Sequence, residues 1–383
     1  MSKLRTRIDK RRGVEVTNTI LHLYQNKLEP FDRPDAKLPQ DPDHMPRTLV
    51  IGTREHRLFL FHINYYMRGG VDSNEAVKML SKVYDSRPEF FDPFFAAEAM
   101  DLDDLREALQ SVGLNYSKNR TPAFWQENAR RLVALYDGDP GNIFTGITTY
   151  DQACKRIQND HKGGGFKGFQ KKMVSMIVYF FMKAGFVDPF GFPIPIDIHV
   201  GRLTLSNEIV RVSGVEPGTD LLAGGRSNQV FDAARKFYLW LAQHQGVDPL
   251  LLCDAMWMYS RLKCSDNPEN QWMRTGEGSN RSTVLKRPVV DYTQLAVLNR
   301  WARSCGTCPL AQTCVYNFGA APYYTHGAMY YGDLRIGPPD EVGSLLTSGE
   351  LAEMYRYRKP TTAAKKPVGV VSNTGQLDLL SPD

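Results

Sequence analysis

The sequence contains no long hydrophobic run. Its longest apolar stretch extends from Met173 to Met182 and is flanked by Lys172 and Lys183. That is about half the length that a helix needs to cross a bilayer. The N-terminus is basic and has no apolar segment behind it, unlike a secretory signal. We therefore expect no membrane span and a cytosolic protein in a reducing compartment.

The sequence also lacks a large excess of positive or negative charge. The 47 basic residues stand against 42 acidic ones, a formal charge of +5, so net charge alone does not indicate nucleic-acid binding. Cysteine is scarce, with six in 383 residues, and disulfides are not expected in a reducing compartment. The composition, 42% hydrophobic and 23% charged, is typical of a globular protein.

Alternating patterns typical of strands are missing. Between about residues 55 and 246, apolar residues recur three and four apart, as in HRLFLFHINYYM, NEAVKMLSKVY and FDAARKFYLWLAQH. A further short helix is predicted at Thr17–Leu28. The predicted fold class is therefore mostly α.

Three of the six cysteines lie within ten residues, in the spacing Cys305-x2-Cys308-x5-Cys314. This spacing brings three thiolates into one turn, as a soft metal centre requires. Cys264 ends an apolar helical stretch and is the best candidate for a fourth ligand. An iron-sulfur cluster, a tetrahedral zinc site and a set of buried thiols all fit the pattern.

The segment WMYSRLKC, which ends at Cys264, and the two cysteine spacings resemble the cluster loop of endonuclease III-type DNA glycosylases. These enzymes belong to the helix-hairpin-helix superfamily. The resemblance implies a [4Fe-4S] cluster, with zinc as the alternative, held by Cys264, Cys305, Cys308 and Cys314. The family places far fewer residues between the first two cysteines than the 40 found here, which implies an insertion at residues 265–304.

A second segment, IPIDIHVGRL at residues 194–203, resembles the family's approach to a helix that opens with the catalytic aspartate and continues D-x-H-V-x-R. The resemblance makes Asp197 the catalytic carboxylate and His199 a DNA contact. Backbone N–H groups at a helix start keep such a carboxylate ionised, so that it can stabilise positive charge at C1′ as a base leaves. The plain alternative is an ordinary aspartate N-cap.

A third segment, GGGFKGFQKKMVSMIVYFF at residues 163–181, resembles the family's hairpin followed by an apolar helix, although Gln170 departs from the usual hairpin pattern. By position, Lys172 is the amine that attacks C1′ and forms a Schiff base. If the alignment to the family were shifted by one residue, Lys171 would be the amine instead. Alternatively, both lysines only bind phosphate. The basic residues predict a phosphate-binding face that includes Lys162, Lys167, Gly168 and Lys171.

HINYYMRGG aligns with the region that supplies the family's wedge, the residue that fills the gap left by a flipped base. Met67 would be the wedge and Arg68 a DNA contact, with Tyr65 and Tyr66 in the base pocket. A Tyr/Met stripe at helical spacing is also typical of a protein core.

The C-terminal segment QLDLL resembles the pentapeptide by which bacterial replication and repair proteins dock on the sliding clamp. It would contact the clamp's hydrophobic groove through Gln376, Leu377, Leu379 and Leu380. Residues 359–383 have little to bury, which predicts a flexible tail.

We therefore expect a monomeric, two-lobed helix-hairpin-helix DNA glycosylase that excises a modified or damaged base from double-stranded DNA, with or without a lyase step. Its biological role would be repair or defence against phage with modified bases. One alternative is an enzyme of the same fold that modifies a phage base without excision, and another is a non-catalytic DNA-binding module with a four-cysteine zinc site. The predicted domains are an N-terminal arm with helices (1–67), a hairpin lobe (68–200), a cluster lobe (201–315), an aromatic and glycine-rich extension (316–358) and the tail.

Overall fold

The fold is mostly helical in the computed structural model, which confirms the predicted class. The structure describes residues 4–67, 72–115, 117–160, 164–215, 221, 226–264, 272–275, 282–285, 308–314, 324–325, 328–329, 370–371 and 377–378. The α-helices in these ranges are α1 (Lys10–Gln25), α2 (Arg54–Ile63), α3 (Ser73–Ser86), α4 (Pro93–Glu98), α5 (Leu102–Ser111), α6 (Arg120–Tyr136), α7 (Tyr150–Ile157), α8 (Lys171–Lys183), α9 (Ile198–Ser206), α10 (Arg226–His244) and α11 (Pro249–Tyr259).

Shorter helical turns extend or connect these helices. A 3₁₀ turn at Asn64–Tyr66 continues α2, and a π-helical turn at Ser260–Cys264 continues α11. Further 3₁₀ turns lie at Pro42–His44, Pro88–Phe91 and Pro140–Phe144. None of the described helices is long and apolar enough to cross a membrane.

The described strands form short antiparallel pairs. In the first pair, β1 (Arg5–Ile8) aligns Ile8 with Val210 of β2 (Val210–Ser213). In the second, within the predicted insertion, β3 (Trp272–Thr275) pairs with β4 (Ser282–Leu285). Two-residue ladders join β5 (Tyr324–Thr325) to β6 (Ala328–Met329) and β7 (Val370–Val371) to β8 (Leu377–Asp378).

Side-chain caps mark most of the helix starts. Aspartates at the N-caps of α1, α3, α4 and α5 accept hydrogen bonds from first-turn N–H groups, and Thr149 forms a capping box at α7. Such caps satisfy N–H groups that have no acceptor within the helix. At α8 the N-cap residue Gln170 makes no such bond, and the first turn contains no acidic residue.

The chain divides into two compact units, each discontinuous in sequence. The α9 unit comprises Met1–Ala36, Ile196–Leu241 and Asp254–Asp383, and the α8 unit comprises Lys37–Pro195 and Ala242–Cys253. Residues 37–67, and with them Tyr65, Tyr66 and Met67, therefore belong to the same unit as α8.

The core of the α8 unit is aromatic. Trp125 of α6 stacks on His62 with ring centroids 4.1 Å apart and on Tyr65 at 5.4 Å, and Phe61 stacks on Phe169 at 5.1 Å. Burial of the imidazole lowers the pKa of His62 to about 3. His62 is therefore neutral at physiological pH, and its Nδ1 lies 2.7 Å from the carbonyl oxygen of Leu58.

In the α9 unit, α1 packs closely against α10. A Cβ atom added at Gly13 of α1 would lie 2.2 Å from the ring of Phe237 in α10, so only glycine allows this approach. The hydroxyl groups of Thr204 in α9 and Tyr238 in α10 are 2.9 Å apart and buried. The contact between Thr204 and Tyr238 fixes α9 against α10, which in turn packs on α1.

Candidate functional site

Asp197 caps α9, as the segment IPIDIHVGRL predicts. Its Oδ1 accepts a hydrogen bond of 2.9 Å from the backbone N–H of Val200, while the preceding Ile196 is buried. The side chain of Asp197 is half-buried. The carboxylate is thus held at the positive end of a helix and remains accessible, an arrangement that can stabilise a nearby cation.

Arg202, one turn further along α9, is a structural residue. The residue is 4% exposed, and its guanidinium donates to the carbonyl oxygen of Ser260 at 2.6 Å and to the Ser260 hydroxyl at 2.7 Å. It also lies 3.4 Å from Nδ1 of His199. Arg202 therefore joins α9 to the π-helical turn that ends at Cys264.

His199, a predicted DNA contact, is half-buried beside Arg202. Its ring lies 6.4 Å from that of Trp257 in an edge-to-face arrangement, and the guanidinium of Arg261 covers Trp257 at 5.2 Å. The imidazole is therefore positioned by α11 and the π-helical turn.

The described cysteine segment, residues 308–314, is a turn attached to two helices. Within it, the N–H of Cys314 donates to the carbonyl of Leu310 at 2.9 Å. The hydroxyl of Thr313 donates to Oδ1 of Asn207, the C-cap of α9, at 2.8 Å. The hydroxyl of Tyr259 in α11 lies 3.1 Å from Sγ of Cys308, whose pKa is raised by burial.

This environment suits a metal-bound sulfur. A buried thiolate is stable when it binds a metal and accepts hydrogen bonds, and the Tyr259 hydroxyl can donate one to Cys308. Tyr259 is also the last residue of α11, directly before the π-helical turn that ends at Cys264, so the helix that contacts Cys308 leads to the predicted first ligand. The side chain of Cys264 and all of Cys305 lie outside the described residues. Within the described residues there is no group of three or more potential metal ligands.

In the α8 unit, the described residues 158–160 and 164–170 lie between α7 and α8 and are joined by backbone hydrogen bonds. The N–H of Phe166 donates to the carbonyl of Ile157 at 3.0 Å, and both Phe166 and Phe169 are buried in the aromatic core. Gly165 has a φ of +62°, and a Cβ there would lie 2.0 Å from the carbonyl oxygen of Gln158. The two glycines Gly165 and Gly168, both at positive φ, permit the turn.

Asn128 of α6 holds this segment in place through hydrogen bonds to Lys167. Its Oδ1 accepts from the N–H of Lys167 at 2.7 Å, while its Nδ2 donates to the Lys167 carbonyl at 3.0 Å and to the Tyr65 hydroxyl at 2.7 Å. The Lys167 side chain lies 3.2 Å from Glu127. No sequence pattern indicates the role of Asn128, because a single asparagine in a helix is typical of a solvent-exposed face.

The two lysines at the start of α8 differ in environment. Lys171 is exposed, whereas Lys172 is half-buried and donates to the carbonyl oxygen of Met67. Lys172 is therefore the lysine that faces the predicted wedge region, and Lys171 is the one that faces solvent. Lys162 lies outside the described residues.

The predicted wedge and pocket residues are buried. Met67 is 2% exposed, Tyr65 stacks in the aromatic core, and Arg68 lies outside the described residues. Tyr66 is also 2% exposed, and burial raises the pKa of its hydroxyl. Of the clamp-docking residues, the structure describes only the backbone of Leu377, in β8; Gln376, Leu379 and Leu380 lie outside it.

Comparison with known protein families and with curated proteins finds no match to this sequence.

Proposed function

We propose that the protein is a DNA glycosylase of the helix-hairpin-helix type. The observation that carries the proposal is the placement of α9. This helix opens with the carboxylate of Asp197, and its Arg202 and Asn207 bind the two segments that bring Cys264, Cys308 and Cys314 into the fold. The resemblance implies this association of a catalytic aspartate with a cysteine-bound cluster.

The carboxylate of Asp197 would stabilise the positive charge that develops at C1′ as the glycosidic bond breaks and the bonding electrons leave with the base. Cleavage is assisted when the departing base acquires a proton. The hydrogen bond from Val200 holds one carboxylate oxygen at the helix start and leaves the other for the sugar or for a water nucleophile.

Lys172 is the proposed nucleophile for a lyase step. Its deprotonated Nζ would attack C1′ as the C1′–base bond breaks and the base leaves with the bonding electrons. Opening of the sugar ring would then give a Schiff base, from which loss of a C2′ proton expels the 3′ phosphate. The half-buried position of Lys172 and its contact with the Met67 carbonyl support this choice over the exposed Lys171.

DNA backbone binding is proposed at residues 164–170 and the start of α8. A helix start attracts phosphate through its N–H groups and its dipole. The start of α8 has no cap from Gln170, no acidic residue in its first turn and the exposed Lys171, all of which favour an anion there.

The cysteines Cys264, Cys305, Cys308 and Cys314 would hold a [4Fe-4S] cluster. Such a cluster would cross-link the end of α11 to the 308–314 turn and so stabilise the surroundings of α9. Docking of residues 376–380 on a sliding clamp is part of the same proposal.

The test is to incubate the purified protein with duplexes that carry undamaged, oxidised, alkylated, deaminated and phage-hypermodified bases. Released bases are identified by mass spectrometry, and Schiff bases are trapped with borohydride. A free base is expected, together with a trapped adduct that Lys172→Ala removes. A retained but altered nucleotide would instead indicate a base-modifying enzyme, and binding without any chemistry would indicate a non-catalytic module.

A further inference from the structure

The antiparallel pair β1–β2 presents arginines on its solvent-facing side. Arg7 lies opposite Arg211 and Arg5 lies opposite Ser213, and all four residues are exposed. Side chains alternate along a strand, and directly opposed residues share a face of the pair. The other face includes the buried Val210. The three arginines therefore share the outward side, which we call the arginine face.

The two segments that form this pair carry an excess of positive charge. Residues 5–12 and 208–213 contain six basic side chains and two acidic ones. Both acidic residues, Asp9 and Glu208, contact Arg211, at 3.0 and 3.5 Å respectively. These contacts hold Arg211 in place and offset its charge, so the remaining excess lies on the other basic residues.

The fold does not use the side chains of Arg5 and Arg7. Within the part of the chain that the structure describes, these side chains make no ion pair or hydrogen bond. Arg7 also lies directly opposite Arg211, and like charges opposed across two strands are destabilising. Stability alone would favour a neutral or acidic residue at position 7. Departures of this kind from local preference are expected where a surface binds a ligand.

The backbone that presents the arginine face is fixed. At the end of β1, the N–H of Asp9 donates to the carbonyl of Ile209 at 2.9 Å, and the Asp9 side chain caps α1. In the next residue, the amine of Lys10 lies over the ring of Trp240 in α10, 4.2 Å from its centroid. The strand is therefore continuous with the packed helices, and binding at this face would order no further backbone.

We propose that the arginine face binds the phosphate backbone of double-stranded DNA. Arg5 and Arg7 are about 7 Å apart along β1, a separation comparable with that of neighbouring phosphates on one DNA strand. A guanidinium group binds phosphate through two parallel N–H donors. Contacts of this kind hold and orient DNA and carry no sequence information. The inference rests on the proposed function for the identity of the ligand as DNA.

The arginine face is separate from the proposed catalytic end of α9. Asp197 caps the start of this helix, and β2 begins four residues after the helix ends. The two ends of α9 are about 13 Å apart along its axis. The arginine face would therefore hold phosphates away from the reacting sugar, and its loss should weaken binding without changing the chemical step.

The test compares two double variants, Arg5→Gln/Arg7→Gln and Lys78→Gln/Arg106→Gln. Both lower the net charge by two, but Lys78 and Arg106 already form ion pairs with carboxylates of their own helices. Binding of an undamaged duplex is measured at several salt concentrations. Excision of the base that the wild type releases is measured in single turnovers at saturating enzyme.

We expect Arg5→Gln/Arg7→Gln to weaken DNA binding about tenfold at low salt. The slope of log K against log salt concentration should become shallower by about two, because two phosphate contacts are lost. The control should bind nearly as the wild type does, and saturated excision should be equal in all three proteins. The melting temperature of Arg5→Gln/Arg7→Gln should equal or exceed that of the wild type, because the repulsion between Arg7 and Arg211 is removed.

Unchanged affinity and slope in Arg5→Gln/Arg7→Gln would overturn the proposal. An equal loss in the control would also overturn it, because net charge alone would then explain the effect. Binding of phosphatidylglycerol vesicles, but not of DNA, that depends on these arginines would assign the face to a membrane surface instead. If the double variant does not fold, Arg5→Gln alone, at the first residue of β1, should make the slope shallower by about one.

The arginine face and the glycosylase proposal can fail separately. If the wild type excises no base but its DNA binding depends on Arg5 and Arg7, the glycosylase proposal fails and the DNA contact stands. If excision occurs while DNA binding does not depend on these arginines, the reverse holds.

Discussion

At the scale of single residues, Asp197 caps a helix and carries the proposed catalytic charge, and substitution can separate these two roles. Asparagine is as good an N-cap as aspartate but carries no charge. Asp197→Asn should therefore keep the bond to Val200 and the free energy of unfolding, while base excision falls by about 10²–10³-fold through loss of the charge opposite C1′. Single-turnover excision and denaturant unfolding measure the two effects.

The control is Asp197→Ala, which removes both the charge and the cap. It should lose excision equally and lower the free energy of unfolding by about 1 kcal/mol. If Asp197→Asn excised at the wild-type rate, the aspartate would be only a helix cap.

A second residue-scale prediction concerns His62 and pH. Because burial lowers the folded-state pKa of His62 to about 3 from its ordinary value of 6.5, the unfolded chain binds a proton that the folded protein does not. The stability from neutral His62 is complete above pH 6.5 and decreases as the pH falls towards 3. Relative to pH 7, the wild type should lose about 2 kcal/mol at pH 5 through this residue.

His62→Phe retains an aromatic ring against Trp125 and cannot titrate. The difference in unfolding free energy between pH 7 and pH 5 should therefore be smaller in the variant than in the wild type. An identical difference in both proteins would show that His62 does not determine the acid sensitivity.

At the scale of elements, helix existence could be predicted from the sequence better than helix limits. The apolar periodicity of the three quoted segments correctly predicted α2, α3 and α10. The prediction of Thr17–Leu28 was wrong in its limits, since α1 runs from Lys10 to Gln25. The basic residues at its start mask the helical pattern, and the cap from Asp9 was the available signal.

Gly13 is an element-scale test of how α1 packs. Alanine normally favours a helix over glycine by about 1 kcal/mol. Here the added Cβ would meet the Phe237 ring at 2.2 Å, so overpacking should dominate and Gly13→Ala should lower the free energy of unfolding by about 1–3 kcal/mol. Thermal unfolding measures the change.

Phe237→Leu in the same chain should relieve the overpacking. The double variant should then be more stable than the sum of the two single changes predicts. Strict additivity would mean that Gly13 and Phe237 do not limit the approach of α1 to α10.

At the scale of the whole molecule, the candidate catalytic and metal residues could be predicted from the sequence, because their chemistry requires fixed residue types at short spacings. The residues that position them could not. Asn128, Ser260 and Tyr259 act through contacts with residues 39, 58 and 49 positions away, respectively.

The four predicted cysteine ligands lead to a prediction about the metal content and the stability of the whole molecule. Protein purified without oxygen should contain about four iron atoms and sulfide per chain, whereas a zinc site with four cysteine ligands would contain about one zinc. Cys308→Ser should lower both metal content and thermal stability, because the 308–314 turn is bound to Asn207 and Tyr259. Metal analysis and thermal unfolding measure the two quantities.

Cys154→Ser is the matched control, because Cys154 lies in α7 of the other unit. It should retain the wild-type metal content. Equal metal content in Cys308→Ser and the wild type would remove Cys308 from the ligand set.

The start of α8 has a consequence for the rate at which DNA would be bound. Residues 171–173 are helical in the absence of DNA, and Gln170 provides no side-chain cap, so the positions at which an anion would meet this helix are fixed in advance. Binding a phosphate there orders no further backbone and costs little conformational entropy. Association at this point would then be limited by diffusion and by electrostatic attraction to the exposed Lys171, and would slow as ionic strength rises.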